Sequence, residues 1–305
     1  MCKWQVSALL RLTSKIGSFR RFGCSAVRRT KTALAVLAML ASVLAWGSAP
    51  VRADDNDGHL SRHEVRVLAQ NMYIGASLGP LVNAKTLDQF LVAANALAQG
   101  IVITKPAERA AAMAAEIAQQ RPDLVALSEV WKLTVEGVLV EDLLQYVLDA
   151  LKALGQPYEL VGSVDLEDLN ITRPNLPINF HLTDRNAILY RTDADIHFKP
   201  EDVQPILFDQ TIDRTIILPS GTALTFTIHG GYISVDATVR GIPLRFVSVH
   251  LIPNPLTIEE HTLDLLKKTA SPTLPLVFGG DFNTTANDPS NESYKLVYQT
   301  LSMQN

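Results

Sequence analysis

The chain has 305 residues, of which 47% are hydrophobic and 19% are charged. This composition is typical of a globular protein and excludes a disordered or fibrous one. The length suits one large α/β domain or two small ones. With a formal net charge of −4, the chain lacks the overall basic excess that general nucleic-acid binding relies on.

The first 53 residues are typical of a secretory signal. Eight Lys or Arg residues precede the 17-residue apolar run from Ala33 to Ala49, and the small-residue cleavage site Val51-Arg52-Ala53 follows it. An uncleaved membrane anchor is the alternative, because a run of this length is near the lower limit for spanning a bilayer. We expect a secreted or periplasmic protein with no stable membrane span after cleavage.

Removal of this segment would make the protein strongly acidic. The segment holds nine of the 27 Lys and Arg residues and no Asp or Glu, which leaves 18 basic against 31 acidic residues, a net charge of −13. Such a charge does not favour non-specific nucleic-acid binding, which depends on basic side chains that neutralise phosphates. Cys2 and Cys24 also lie in the segment, so the exported domain would have no disulfide.

After a polar lead over residues 54–63, helix and strand patterns alternate. Periodicity and terminus signals predict strands at Glu64 to Tyr73, Asp123 to Val130, Tyr158 to Val161 and Ala187 to Tyr190. They predict helices at Pro80 to Gly100, Glu108 to Gln120 and Glu141 to Leu154. The stretch from Gly75 to Lys105, between the first strand and the first clear helix, is a candidate substrate loop.

From Thr222 onward the pattern changes to alternating, β-branched segments. It predicts antiparallel strands at Ala223 to Ile228, Tyr232 to Arg240 and Leu244 to Val249, with breaks at Gly-Gly and at Gly-Ile-Pro. A helix at Ile258 to Lys268 and a strand at Leu276 to Phe278 follow. This order predicts a mixed α/β domain in which helices cover two packed sheets.

Four of the apolar strands end in polar residues that suit metal and phosphate chemistry. These ends are Gln70-Asn71, Ser128-Glu129, Val249-His250 and Asp281-Phe282-Asn283. Carboxylate and amide oxygens are hard donors that suit Mg²⁺, Mn²⁺ or Ca²⁺ better than zinc, and a histidine beside them can contact a phosphate oxygen or act as an acid. The set indicates hydrolysis of a phosphate ester by a metal-activated nucleophile.

Taken singly, most of these residues have structural explanations. Asn71 is typical of a turn residue at a strand end, Glu129 of a solvated strand terminus, and His250 of a core histidine with satisfied hydrogen bonds. The segment from Gly279 to Asn283 differs, because its paired glycines permit a close backbone approach that a purely structural strand does not need. The order of the four strand ends favours the functional interpretation.

These segments resemble the endonuclease/exonuclease/phosphatase superfamily, the deoxyribonuclease-I-like fold, from about Val65 to the last residue. The similar segments are LAQNMY (68–73), RPDLVALSE (121–129), TDRNAILYR (183–191), FVSVHL (246–251) and GGDFN (279–283). Ser128 stands where Gln is commoner, and Val249 stands where Thr is usual. The resemblance implies a four-layer α/β/β/α sandwich of two mixed sheets, with the site at one edge of the paired sheets.

The resemblance also implies roles for the residues at the strand ends. Glu129 would bind the divalent metal, with Mg²⁺ as the first choice and Mn²⁺ or Ca²⁺ as alternatives. Asn71 would lie close to both metal and phosphate. His250 would contact the scissile phosphate, Asp281 would position the nucleophile, and Asn283 would stabilise the transition state.

Two further residues, Arg185 and Asn186, would bind the phosphate at the start of a central strand. The alternative for Arg185 is a surface residue paired with Asp184. Together the residues imply a secreted, metal-dependent phosphodiesterase or phosphatase that acts as a monomer. A small or lipid-linked phosphoester is preferred over DNA as the substrate, because the chain is acidic.

Members of the superfamily usually end in a Ser-Asp-His motif that this sequence lacks. Only 22 residues follow Asn283, and none is His. The tail from Glu292 to Leu301 is similar to the helix that usually follows GDFN, so domain 64–305 is expected to lack its final strands.

A truncated gene model, a non-catalytic relative and substitution by another His are the three explanations for the missing motif. Truncation is favoured, because losing those strands leaves an unpaired sheet edge. The competing function is a catalytically inactive binding protein that uses the same cleft.

Overall fold

The structure is a computed structural model that describes residues 64–171, 180–217, 221, 223–252, 255–271, 273–284, 295 and 297–299. The expected signal segment (1–53) and polar lead (54–63) lie outside the described residues. Within the helix expected over residues 292–301, the described residues Lys295 and 297–299 are helical.

The described strands form two mixed sheets. The first runs in the order β1 (Val67–Asn71), β2 (Leu124–Ser128), β6 (Phe180–Arg191), β3 (Lys132–Val135) and β4 (Val138–Asp142), and β5 (Tyr158–Ile171) also pairs with β6. The second runs β11 (Leu276–Asp281), β10 (Ile242–His250), β9 (Ala223–Val239) and β7 (Ile196–His197), and β8 (Val203–Ile217) also pairs with β9. Among these, β1–β2 and β10–β11 pair in parallel and the rest antiparallel.

The described helices are α1 (Gly79–Val82), α2 (Leu87–Ile103), α3 (Pro106–Gln120), α4 (Leu143–Ala153) and α5 (Pro255–Thr269). Three of them, α2, α3 and α4, have clear start signals. The side chains of Thr86 and Asp142 accept hydrogen bonds from the first turns of α2 and α4, and Pro106 begins α3 where its missing N–H costs no hydrogen bond.

Three apolar clusters separate four layers. Successive strand side chains point to opposite faces, so Val125 and Leu127 of β2 pack against α1–α4 while Leu124 and Ala126 face the second sheet. On β10, Phe246 faces the first sheet while neighbouring valines pack with α5. The order is therefore helices, sheet, sheet, helix, which confirms the predicted α/β/β/α sandwich.

Several predicted elements differ from the structure. The β3–β4 hairpin and strand β8 had no predicted counterpart. Gly230-Gly231 lies inside β9 instead of breaking it. Glycine is needed at position 231 because a Cβ there would lie 2.5 Å from the Ile206 carbonyl oxygen on β8. The stretch from Gly75 to Lys105 is not a loop but contains α1 and α2, in agreement with the helical periodicity of Pro80 to Gly100.

Among the described residues, no single helix is long and apolar enough to cross a membrane. The pair α2 and α3, bent by 50°, passes that test on length and composition alone.

Candidate active site

Strand alternation brings four chain segments to one edge of the paired sheets. A Cβ at Gly279 of β11 would lie 3.2 Å from the Cβ of Ala69 on β1, so these residues face each other between the sheets. Two residues further along, Asn71 and Asp281 lie on the same inner faces. The parallel pairing of β10 and β11 places His250 beside Asp281. Side chains from both sheets therefore meet where these strands end.

Glu129 is held at this edge by three donors. Its Oε1 accepts from Asn71 Nδ2 at 2.8 Å, and its Oε2 accepts from the backbone N–H of Ile74 at 3.0 Å and from Trp131 Nε1 at 3.4 Å. Its φ is +55°, which is uncommon for a residue with a long side chain. Such backbone strain concentrates at functional sites, and here it turns Glu129 out of the line of β2.

Asp281 is fixed in a similar way. Its Oδ2 accepts from Asn71 Nδ2 at 2.7 Å and its Oδ1 from the backbone N–H of Asn283 at 2.7 Å. Asn71 thus links the carboxylates of Glu129 and Asp281, while its own Oδ1 accepts from the Tyr73 N–H at 2.7 Å. The Asn283 side chain donates to the Leu251 carbonyl.

The paired glycines before Asp281 have distinct structural reasons. Gly279 lies where a Cβ would come within 2.9 Å of the Ala126 side chain in the opposite sheet. Gly280 has a φ of +128°, and a Cβ there would lie 2.0 Å from the Val249 carbonyl oxygen. Close sheet packing and a left-handed backbone together require glycine, so the pair delivers Asp281 to the edge of the sandwich.

His250 lies against a buried carboxylate. Its Nδ1 is 3.2 Å from Oδ2 of Asp184, whose side chain is only 2% exposed. Burial alone would lower the pKa of His250, but the hydrogen bond and charge of Asp184, with the charges of Asp281 and Glu129, outweigh it and raise the pKa to about 9. Burial also raises the pKa of Asp184. The pair therefore holds one proton, and at neutral pH the imidazole is protonated.

The side chains of Glu129, His250 and Asp281 form a group that could hold a metal ion. Glu129 and Asp281 each offer a carboxylate oxygen, and these atoms and a ring nitrogen of His250 all lie within 4.8 Å of one another. While His250 is protonated, the ligands are the two carboxylates. The carboxylates of Glu129, Asp281 and Asp184 outnumber the single imidazolium, so a divalent cation would balance the charge. Two carboxylates beside an amide are hard donors, and the residues present fit the expected divalent metal.

The predicted phosphate ligands Arg185 and Asn186 are not in this cluster. Arg185 forms a 2.5 Å ion pair with Asp142 and donates through Nε to the Val130 carbonyl at 2.9 Å. It is thus neither in the cluster nor paired with Asp184. Asn186 is fully buried between the sheets and donates to the Ser248 carbonyl at 3.4 Å.

Sequence reasoning did not select Asp184 as a site residue. It precedes Asn186 by two residues on β6, and both side chains lie on the inner face of the sheet. Two polar residues at alternate positions, directly before the apolar run Ala187–Leu189, were the available signal, because buried carboxylates are rarely without function or a partner.

The comparison with known protein families agrees with this architecture. The model of the Endonuclease/Exonuclease/phosphatase family matches residues 92–295. The chain belongs to this family. The match spans α2 to the helical residues after β11, and it includes Glu129, His250 and Asp281. No curated protein sequence matches the chain.

Solved structures with this fold are distant in sequence. An endonuclease/exonuclease/phosphatase family protein from Leptotrichia buccalis C-1013-b is 19% identical, and the match covers 63% of this chain and 66% of that chain at a TM-score of 0.42. The mannosyl-6-phosphatase Bt3783 of Bacteroides thetaiotaomicron is 16% identical over 77% and 70% of the two chains at 0.40. The human Nocturnin catalytic domain with bound sulfate is 16% identical over 76% and 68% at 0.37.

The present chain spans slightly less than two thirds of the length of the Leptotrichia protein. At these identities and scores, the solved structures carry no information about its substrate.

Proposed function

We propose that the protein is a metal-dependent hydrolase of phosphate esters. The observation that supports this function is the meeting of Glu129, His250 and Asp281, from separate strand ends in two sheets, with ligand atoms within 4.8 Å. Membership of the family agrees with it. Each ligand-type side chain is oriented by its own hydrogen-bond partners, as a preorganised site requires.

Glu129 and Asp281 would hold the divalent cation, with Mg²⁺ as the first choice. When bound, this cation would supply Lewis-acid polarisation of a phosphoryl oxygen. Asn71 uses both N–H donors of its amide on the two carboxylates, so it keeps them at a fixed separation next to the cation. We assign it orientation of the carboxylates rather than direct contact with the phosphate.

His250 would act on the phosphate as a charged donor. Asp184 accepts from Nδ1, which leaves the Nε2–H free to donate to a phosphoryl oxygen or to the leaving oxygen. Asp281 would orient the attacking water and accept its proton as the new P–O bond forms. The ester P–O bond breaks, and the leaving oxygen takes up a proton from His250.

Asn283 would stabilise the negative charge that develops on the phosphoryl group. One N–H of its amide is used by the Leu251 carbonyl, and the second is available because an amide nitrogen carries two donors. Arg185 and Asn186 would have positioning roles, since Arg185 supports the backbone after Glu129 and Asn186 joins the two sheets beneath His250.

The wider setting follows from the sequence expectations. We propose a secreted or periplasmic monomer that acts on a small or lipid-linked phosphoester in preference to DNA. The acidic excess beyond residue 53 supports that preference, because a polyanion such as DNA would be repelled.

Turnover of bis(p-nitrophenyl) phosphate with Mg²⁺ or Mn²⁺ tests this function. Replacing Glu129 by Gln removes a metal-ligand charge with little change of shape, so we expect kcat/KM to fall by about a thousandfold or more. The matched control is Glu259→Gln, at an exposed position on α5, which should leave kcat/KM unchanged.

Two results would contradict the proposal. Equal turnover in the wild type and Glu129→Gln would place the chemistry elsewhere or in a contaminant. Metal binding by calorimetry without turnover of any phosphoester would favour the binding protein that uses the same cleft.

A further inference from the structure

Residues 72–74, which directly follow β1, donate two backbone hydrogen bonds into the carboxylate cluster. The Tyr73 N–H donates to Asn71 Oδ1 at 2.7 Å, and the Ile74 N–H donates to Glu129 Oε2 at 3.0 Å. One of these bonds holds the proposed metal ligand itself, and the other holds the amide that links the two carboxylates. Whatever fixes the backbone of these three residues therefore also fixes the donors of the cluster.

Arg109 of α3 contacts the same backbone from its other side. Its Nη1 donates to the carbonyl oxygens of Met72 and Tyr73. The Met72 carbonyl and the Tyr73 N–H belong to one peptide group, and the Tyr73 carbonyl and the Ile74 N–H belong to the next. Because the N–H and C=O of a trans peptide group point in opposite directions, Arg109 holds each group by the end opposite to its cluster-facing donor.

The backbone conformation of Tyr73 lets one guanidinium reach both carbonyls. Successive carbonyls of an extended strand point to opposite sides, but the φ of Tyr73 is +54°, in the left-handed region that is uncommon for an aromatic residue. Both carbonyls consequently face Arg109, whose guanidinium carbon lies 5.8 Å from the centre of the Tyr73 ring. A costly backbone conformation persists only when its surroundings hold it, and Arg109 provides a charged group that does so.

Arg109 is itself held by the junction between α2 and α3. Its Nε donates to the Thr104 carbonyl at 3.0 Å, where α2 ends. The chain beyond residue 74 packs on the same junction: a Cβ at Gly75 would lie 2.4 Å from Thr104 Oγ1, and a Cβ at Gly100 would lie 2.6 Å from the Ala76 Cβ. The planar guanidinium is thus fixed before it binds the two carbonyls, so little side-chain freedom is lost in forming these bonds.

The charge of Arg109 also strengthens the donors that face the cluster. Burial lowers the pKa of Arg109, while Glu141, Tyr73 and Glu129 act to raise it, and a guanidinium stays protonated in proteins. Hydrogen bonds that share a peptide group polarise one another. A cation at the Tyr73 carbonyl therefore makes the Ile74 N–H a stronger donor to the Glu129 carboxylate.

We propose that Arg109 is a positioning residue for the cation site, which acts on Glu129 through the two peptide groups of residues 72–74. It contacts neither the cation nor the phosphate ester. This role rests on the proposed binding of a divalent cation at Glu129 and Asp281, and it adds α3 to the elements that set the site. Loss of Arg109 should weaken cation binding although every ligand remains in the chain.

Binding of Mn²⁺ alone, measured by calorimetry without a phosphate ester, tests this role. Groups that orient a metal ligand contribute about 10- to 100-fold to metal affinity. Because Arg109 acts through an intervening peptide group, Arg109→Ala should raise the Kd for Mn²⁺ by about tenfold, at the lower end of that range. Ethylguanidinium, which can replace the lost donors, should restore part of the affinity. The amide NMR resonances of Tyr73 and Ile74 should shift in the variant and return with ethylguanidinium.

Arg245 provides a matched control. Its guanidinium pairs with Asp236 and donates to the Thr269 carbonyl at 2.9 Å, so it also ties a backbone carbonyl, but it lies five residues before His250 on β10. Arg245→Ala should lower the free energy of unfolding in urea and leave the Kd for Mn²⁺ unchanged. A wild-type Kd in Arg109→Ala, or an equal rise in both variants, would overturn the positioning role.

Arg109→Lys keeps the test decisive if the alanine variant does not fold. Lysine retains the charge, but its Nζ ends one bond short of Nη1, and it lacks the fork that serves several carbonyls at once. The Kd for Mn²⁺ should therefore still rise several-fold. A folded Arg109→Lys chain with the wild-type Kd would show that the hold on the two peptide groups does not set the site.

Turnover of bis(p-nitrophenyl) phosphate separates this role from the function on which it rests. A raised Kd in Arg109→Ala, restored by ethylguanidinium, with no turnover by the wild type retains the positioning role and rejects the hydrolase. Turnover by the wild type with an unchanged Kd in Arg109→Ala retains the hydrolase and rejects the positioning role. A wild-type chain that binds no Mn²⁺ overturns both.

Discussion

Strand β2 is bracketed by two acidic residues that have opposite surroundings. Asp123 precedes the strand and is fully buried; it accepts from Arg191 Nη2 at 3.1 Å, Arg240 Nη1 at 2.8 Å and the Arg66 backbone N–H at 2.8 Å. Glu129 follows the strand and accepts from uncharged donors. The same short strand therefore lies between one carboxylate that is paired with guanidiniums and one that accepts hydrogen bonds from uncharged donors alone among its printed partners.

The difference extends to the neighbouring strands. Near Asp123, the guanidiniums of Arg191 and Arg240 pair with its carboxylate, and Arg191 Nε also lies 3.3 Å from Oδ1 of Asp193. Near Glu129, the carboxylates of Asp184 and Asp281 share one imidazole with it. A buried ionic group that is satisfied internally stabilises the fold, whereas an excess of one sign requires an external ion. The position of unbalanced charge, rather than burial alone, distinguishes the candidate active site from a structural cluster.

The largest expected effect on stability comes from Asp123, which precedes β2. Asp123→Ala leaves Arg191 and Arg240 without their shared carboxylate, so the free energy of unfolding should fall by about 3–5 kcal/mol. Urea denaturation measures this. Asp195→Ala is the control, because Asp195 forms an exposed pair with His197 and should change stability by less than about 0.5 kcal/mol. If both variants lost a similar free energy of unfolding, Asp123 would contribute no more to stability than an exposed ion pair.

The pH dependence of stability should come from the cluster of Glu129, His250 and Asp281. Without a bound cation, the folded pKa of His250, about 9, lies above its ordinary value of 6.5, so the measurement is made in EDTA. The stabilisation is therefore complete below pH 6.5 and is lost as the pH rises through 9, by up to about 3 kcal/mol. His250→Asn should remove this slope in denaturation curves; a slope that persists in the variant would assign it to another group.

A divalent cation should stabilise the folded chain by binding at the carboxylates of Glu129 and Asp281. At a free concentration of one hundred times Kd, the gain is about 2.7 kcal/mol. Thermal unfolding with and without Mg²⁺ or Mn²⁺ measures it. Asp281→Asn should abolish the gain and Glu259→Gln should retain it, whereas an equal gain in both variants would show that the cation binds elsewhere.

The smallest expected effect is that of the positioning carboxylate. Asp184→Asn keeps the shape but removes the charge that orients His250, so kcat should fall about 10- to 100-fold while the metal Kd stays the same. The pKa of His250, followed by NMR, should fall toward its ordinary value. Asp165→Asn, at an exposed position on β5, is the control. An unchanged His250 pKa in Asp184→Asn would show that Asp184 does not set the pKa of His250.

The elements missed in the sequence share a physical cause. Strand β8 contains Pro205, which argues against a strand, yet in the structure Pro205 pairs with Ile233 on the one described neighbour of β8. The β3–β4 hairpin is short and lies at the edge of its sheet. Edge strands bury little surface and so carry little periodicity, whereas the buried β2 and β10 were predicted within a few residues.

The residues that meet at the strand ends, Asn71, Glu129, His250 and Asp281, could be selected from the sequence, because a polar residue that ends an apolar strand is visible in the sequence pattern. Asp184 was not, because its importance depends on His250, 66 positions away in sequence and 3.2 Å away in space. Arg185 was interpreted as a phosphate ligand from its neighbours in sequence. In the structure Arg185 contacts Asp142 and the backbone after Glu129, and its phosphate contact stays a prediction.

The sequence by itself determined the layered fold, the strands that end in polar residues, and the glycines that precede Asp281. These depend on local periodicity and backbone freedom, which neighbouring residues encode. Only the tertiary structure decided which carboxylates are paired with guanidiniums and which residue orients His250. Those properties depend on distances between segments far apart in the chain, and sequence spacing does not specify such distances.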